Sequence, residues 1–384
     1  MPMLPELISI SQVFSGKRDK ILTKAKTMTN TETKNLNSQK LGSVRRKAVS
    51  LSSEELVKTA YLQPENLLPL VVQPTVEKLN LAGWAQNNRS SIETQLWKHG
   101  GILFRGFEVG GVNGFEQFIQ TLAGDLLEYS FRSTPRSLVS GNIYTSTEYP
   151  AEQFIPLHNE MAYSRNWPLK IAFFCVKKAE QGGETPIANS RKVFESLDSK
   201  IREKFAQKKV MYVRNYGGGV DLPWQNVFNT DSKIEVEEYC QKAGIELEWK
   251  SGDSLRDSFA SRLRTRQICQ AVAPHPKTQE MVWFNQAHLF HISNLEPAVR
   301  KELLTSFKQE DLPRNAYYGD GSPIEDFILD EIRRCYQQET TVFLWEEGDV
   351  LLLDNMLTAH GRTPFSGSRR VVVGMAEPFS CQDI

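Results

Sequence analysis

Near its C-terminus the chain runs Glu347-Gly348-Asp349-Val350-Leu351-Leu352-Leu353-Asp354-Asn355-Met356-Leu357-Thr358-Ala359-His360-Gly361-Arg362. A turn triplet opens this stretch, and the four aliphatic residues after it suit a short buried strand. The strand gives way to Asp354-Asn355-Met356, and His360 follows four residues later. A strand that ends just before a histidine can deliver that imidazole across a barrel.

Working outward, further β-rich runs occur at 101–107, 170–176, 210–214, 281–284, 341–345 and 370–375. Apolar residues near a 3.6 spacing predict helices over 76–99, 114–123, 191–208, 296–310 and 323–338. Strands and helices do not alternate regularly and no strand leads into a Gly-rich phosphate loop, which argues against a doubly wound nucleotide fold. Pairs of short strands separated by tight turns, with helices inserted or at the ends, suit an α+β chain built on a jelly-roll, cupin-like core. The open mouth of such a barrel is where a metal or small ligand sits.

The 384 residues carry 46 Lys+Arg against 46 Asp+Glu, with 40% hydrophobic content. That balance describes a globular chain with a sizeable core and gives no bulk reason to bind nucleic acid or membrane. The neutrality is a cancellation. Residues 1–50 hold ten Lys/Arg and three acids, a surplus of seven that the remainder offsets. Rich in Ser, Thr and Asn and without sustained apolar period, 1–50 is expected to be a flexible basic leader, with the catalytic body at 51–384. Cys175, Cys240, Cys269, Cys335 and Cys381 are scattered, odd in number and never CxxC, which suits reduced thiols. With no long apolar run and no secretory pattern at the N-terminus, the expected location is cytoplasmic.

Two of the six histidines have informative neighbours. In Ile155-Pro156-Leu157-His158-Asn159-Glu160-Met161, an extended backbone puts His158 and Glu160 on one face, able to grip one ion. With His360 they make two imidazoles and a carboxylate. That set leaves three positions of an octahedron open, as in non-haem Fe(II) oxygenases. Downstream, Arg369 and Arg370 open an apolar strand. A guanidinium there can hold a carboxylate through two parallel hydrogen bonds, and only one of the pair can, since adjacent strand residues face opposite sides.

Together, His158-x-Glu160, Gly182-Gly183-Glu184-Thr185-Pro186, Gly348-Asp349 with its aliphatic strand, Asn355, His360-Gly361-Arg362 and the Arg369-Arg370 strand resemble the Fe(II)/2-oxoglutarate-dependent oxygenases of the taurine dioxygenase (TauD/TfdA) superfamily. Within it, the chain is similar to the syringomycin-pathway hydroxylase and clavaminate synthase branch. The resemblance covers roughly residues 95 to 380 and implies a double-stranded β-helix core. It also implies His158, Glu160 and His360 as iron ligands and Thr185 as a hydroxyl contacting a 2-oxoglutarate carboxylate. The arginine clamping that cosubstrate's distal carboxylate aligns with Arg370, with Arg369 one residue out of register as the alternative. Halogenating relatives carry a small residue in place of the acidic ligand, so Glu160 argues for hydroxylation.

The implied reaction consumes O2 and 2-oxoglutarate, releases succinate and CO2, and hydroxylates an unactivated C–H bond of a small amino-acid-like substrate, free or carrier-bound. A sulfonate or aryloxyalkanoate dioxygenase and a non-catalytic cupin-like metal-binding protein are the alternatives. A zinc hydrolase would need closer ligand spacing and a general base that the sequence does not offer. His288 and His291 read as structural or pocket-lining, His275 as a loop residue and His99 as a helix end. Trp283 and Phe284 suit either core or pocket, Asn355 either a metal-site support or a turn, and Arg362 either substrate pairing or a backbone cap.

Overall fold

The computed structural model describes residues 56–128, 136–147, 149–217, 222–250 and 262–381. The basic segment 1–50 lies outside them. Eight strands form the main sheet in the order Val57–Gln63, Asn66–Pro74, Gly101–Phe104, Val350–Asp354, Asn166–Lys177, Arg370–Ser380, Ile143–Thr145 and Leu138–Ser140. A smaller sheet runs Thr340–Thr341, Ile187–Asn189, Thr358–Arg362, Ile155–His158. The mixed α+β, jelly-roll expectation holds.

The run Val350-Leu351-Leu352-Leu353 is uninterrupted because the strand is buried on both faces and central in the sheet. Val350 and Leu352 pack with Phe104, Phe115, Phe118 and Phe174. Leu351 and Leu353 face the opposite way, onto Phe173, Val371, Val373, Phe343 and Trp345. Burying each such side chain contributes about 2 kcal/mol, so none of the four positions tolerates a polar residue cheaply. Two helices cover the outer face. Leu81–His99 starts where the Asn80 side chain accepts from Gly83 N at 2.8 Å and stops at Gly100, whose φ is 81°. Gly111–Ala123 buries Phe115, Phe118, Ile119 and Leu122, with Phe115 stacked on Phe174 at 5.5 Å.

Between Ile187–Asn189 and Thr340–Thr341 the chain makes a long excursion. It builds a second antiparallel sheet, Glu246–Lys250, Arg262–Cys269, Val210–Tyr216, Arg314–Tyr318. Here the helix predicted over 191–208 divides into Ser190–Ser196 and Ser199–Lys208, because Asp198 breaks the first and caps the second, accepting from Lys200 N at 2.8 Å. The run predicted at 341–345 pairs only through Thr340–Thr341, yet keeps strand alternation beyond it. Phe343 and Trp345 point inward, while Val342 and Leu344 are exposed. His360 lies inside its own strand, Thr358–Arg362, rather than just past Val350–Asp354. All five cysteines are free. No helix among the described residues is long and apolar enough to cross a membrane.

Candidate metal centre

His158 is the last residue of Ile155–His158 and pairs directly with His360 on the neighbouring strand, their ring centroids 4.5 Å apart. The strands approach so closely that a Cβ on Gly361 would sit 2.5 Å from Ile155 O, which is why glycine follows His360. Glu160 lies in the turn after His158. One ligand atom from each of His158, Glu160 and His360 falls within 4.8 Å of the others. The Nδ1–H of His158 donates to Pro156 O at 2.8 Å, leaving Nε2 as the bare acceptor. His360 Nε2 is 3.9 Å from Glu160 Oε2. Burial holds both imidazoles below the usual histidine range, an effect added to by Arg136 at His158 and by His158 and Arg136 at His360. Neutral imidazoles beside a carboxylate, with the buried His360 Nδ1 lacking a hydrogen-bond partner among the described residues, fit a divalent cation of intermediate softness.

The turn carrying Glu160 is pinned through its backbone. Asn355 Oδ1 accepts from Glu160 N at 2.7 Å, and Asn355 Nδ2 donates to Glu160 O and to Pro168 O, both at 2.9 Å. Asn355 therefore fixes the turn that presents Glu160 to the candidate site. It is held in turn by its neighbour: Asp354 Oδ1 caps Met356 N and Leu357 N at 3.0 Å, while Oδ2 meets the buried His275 Nε2 at 3.0 Å. His275 is in a loop as expected, but its partner was not legible. Glu160's side chain meets another residue the sequence did not single out, the buried Arg136, whose guanidinium donates to Oε2 at 2.6 Å. No local motif marks Arg136, 22 residues before His158. Asn355→Ala leaves three buried backbone groups unpaired. The expected results are a loss of about 3 kcal/mol or more in denaturant melts and roughly 10–100-fold weaker metal binding by calorimetry.

One cavity is lined by His158, His360, Thr185, Ser146 and Arg369. Thr185 is buried and accepts from Trp345 Nε1 at 3.1 Å. Arg369 donates from Nε to Gly183 O at 2.9 Å and from Nη1 to Ser146 Oγ at 3.2 Å. Gly183, at φ 74°, lets the Arg369 chain pass where a Cβ would lie 2.9 Å from its Cδ. Burial, and then the nearby Arg362, push the Arg369 guanidinium down to about 10. No carboxylate among the described residues forms an ion pair with it. Arg370, the expected clamp, is exposed and does not line the cavity. Arg362 lines the same cavity, and its nitrogens also donate to the carbonyls of Tyr149, Pro150 and Gln153 at 3.1, 2.6 and 2.8 Å.

Trp283 and Phe284 are fully buried core residues, Trp283 against Phe205 at 5.0 Å. His99 ends its helix, buried, with Nδ1 3.1 Å from Leu67 O. His288 stacks on Tyr336 at 4.7 Å and its Nε2–H donates to Leu157 O at 3.2 Å, while His291 Nδ1 accepts from Ser293 N at 3.1 Å. Burial pushes His288 down to about 3 and His291 down to about 4. In the unfolded chain both titrate near 6.5, so below that pH the unfolded state binds protons that the native state refuses. Stability is expected to fall as pH drops from 7 to 5, by roughly 2 kcal/mol per histidine. Thermal melts across that range check this, and His288→Asn should flatten the slope.

A family model described as taurine catabolism dioxygenase TauD, TfdA family matches residues 65–376. The chain belongs to the TauD/TfdA family. It is an Fe(II)- and 2-oxoglutarate-dependent oxygenase of that family, with His158, Glu160 and His360 as its candidate facial triad. Among relatives of this TauD-family chain, the dapdiamide synthesis protein DdaC of Enterobacter agglomerans is 44% identical over 75% of this chain and 85% of its own. A clavaminate synthase-like protein of Arabidopsis thaliana is 29% identical over 74% and 84%. The crystal structure of PvcB from Pseudomonas aeruginosa shares the fold at a TM-score of 0.50 and 15% identity, covering 85% of this chain and 93% of that one.

Proposed function

We propose that this oxygenase hydroxylates a small amino-acid-derived substrate, with His158, Glu160 and His360 as iron ligands and Arg369 and Thr185 as the site for the distal carboxylate of 2-oxoglutarate. The observation that carries the reading is convergence: two histidines of the triad, a buried hydroxyl and an arginine without an ion-pair partner among the described residues line one cavity. Arg369 rather than Arg370 takes the clamp role because it is the member of the pair on the cavity side. Iron bound at the triad, with 2-oxoglutarate and O2, supplies the oxygen-activating chemistry that converts R–H to R–OH and releases succinate and CO2.

The chain's own part is to bind, orient and keep dry. Pro156 O fixes the His158 tautomer, Asn355 holds the Glu160 turn, and Phe173 lies 5.0 Å from the His360 ring as an apolar wall. The substrate class rests on the 44% identical relative, which is named for dapdiamide synthesis. The test is succinate formation over a panel of amino acids and their N-acyl and amide derivatives. Stimulation by members of the panel is the expected result. Stimulation by alkylsulfonates or aryloxyalkanoates alone would replace the substrate class.

A further inference from the structure

Arg136 is the one permanently charged partner of Glu160 among the described residues. Its Nη2 donates to Glu160 Oε2 at 2.6 Å, and the two side chains are only 3% and 4% exposed. A carboxylate buried this far is costly without a counter-charge, and Arg136 supplies one. A divalent cation at the triad would supply the same counter-charge to the same group. The two do not fit together without strain. Metal bonds of about 2.1 Å at right angles set facial ligand atoms about 3 Å apart, yet His360 Nε2 lies 3.9 Å from Glu160 Oε2. Closing that gap moves Oε2 from where Arg136 holds it. Arg136 also lines the cavity beside the two histidines, so its charge stays close to a bound metal, where the low dielectric of a buried site strengthens their repulsion.

We infer that Arg136 and the metal compete for Glu160: the guanidinium balances the buried carboxylate while no metal is bound, and it lowers the affinity of the metal that replaces it. Arg136 is a positioning residue of a different kind from Asn355. Asn355 fixes the backbone of the Glu160 turn and does not touch the carboxylate, so its loss should weaken metal binding. Loss of Arg136 should strengthen it. The consequence is a site that keeps its fold when the metal leaves and lets the metal exchange. The inference rests on the reading of Glu160 as a metal ligand given above.

The test is Arg136→Met, which keeps an apolar stem and removes the charge. Mn(II) titration by calorimetry on the full chain, at about pH 8 so that carboxyl groups are ionised, is paired with thermal melts in a chelator and in saturating Mn(II). Mn(II) is expected to bind about tenfold more tightly than to wild type. In the chelator the variant should melt at least about 5 °C below wild type, because a buried charge has lost its partner. Saturating Mn(II) should recover most of that deficit. A merely structural role for Arg136 would lower the melting temperature in both conditions and would not tighten binding. Unchanged or weaker Mn(II) binding in a folded Arg136→Met protein would mean that the metal uses Oε1 while Arg136 steadies the carboxylate, and would overturn the inference. If Arg136→Met folds in neither condition, Arg136→Lys decides. It keeps the charge but loses the planar fork, so its hold on Oε2 is looser and Mn(II) should bind about threefold more tightly; binding no tighter than wild type overturns the inference by itself. A wild-type chain that binds no Mn(II), or a Glu160→Gln protein that binds it as well as wild type, would instead remove the reading of Glu160 as a ligand, and the inference with it.

Discussion

Glu160→Gln is expected to lower metal affinity by about 10³-fold, more than the roughly 10–100-fold that losing a ligand's supporting hydrogen bond costs, and to abolish succinate formation. The substitution keeps the side chain's shape and its carbonyl oxygen, so the bond from Arg136 Nη2, 2.6 Å from Oε2 in the native chain, has an acceptor still. The backbone bonds to Asn355 do not involve the side chain. Folding is therefore preserved while the anionic ligand is lost, and calorimetric titration with Fe(II) or Mn(II) reads the difference. Glu160→Ala is a poorer test. It strips a buried guanidinium of its carboxylate, and breaking such a pair costs about 3–5 kcal/mol. A Glu160→Gln protein that bound metal as tightly as wild type would remove Glu160 from the ligand set.

Arg369→Gln is expected to raise the dissociation constant of 2-oxoglutarate by about 10²-fold, and Arg370→Gln to change it less than about twofold. The two arginines are adjacent, equally charged and at the start of the same strand, so long-range electrostatics treats them nearly alike. What separates them is direction. Arg369 reaches Gly183 O and Ser146 Oγ inside the cavity, whereas Arg370 is exposed. Arg369→Lys keeps the charge but loses the planar fork and should fall between, at about tenfold. Titration followed by absorbance without oxygen checks all three, and normal binding in Arg369→Gln with loss in Arg370→Gln would reverse the assignment.

The aliphatic strand at 350–353 could be read from sequence because burial on both faces demands an unbroken apolar run. The strands that carry the ligands were harder. Thr358–Arg362 and Ile155–His158 are short, half polar and stabilised by one another, and the pairing of His360 with His158 spans some two hundred residues. His158, Glu160 and His360 were still legible, since their chemistry shows in residue type and local spacing. The choice between Arg369 and Arg370 was not, because a register shift lies between Arg370 and Val371, and only the fold fixes which side chain turns inward. Arg136, Ser146, Trp345 and the His275–Asp354 pair share that limit. Each acts through a partner distant in the chain and carries no signature of its own. The basic segment 1–50 lies outside the described residues.

The central claim is that one site binds iron through the triad and 2-oxoglutarate through Arg369. The most direct measurement is anaerobic addition of Fe(II) and 2-oxoglutarate to the wild-type protein, watched in the visible spectrum. A weak charge-transfer band that needs both components, is absent in Glu160→Gln and is greatly weakened in Arg369→Gln is the expected result. A wild-type protein that shows no band and forms no succinate, or whose band survives both substitutions unchanged, would contradict it.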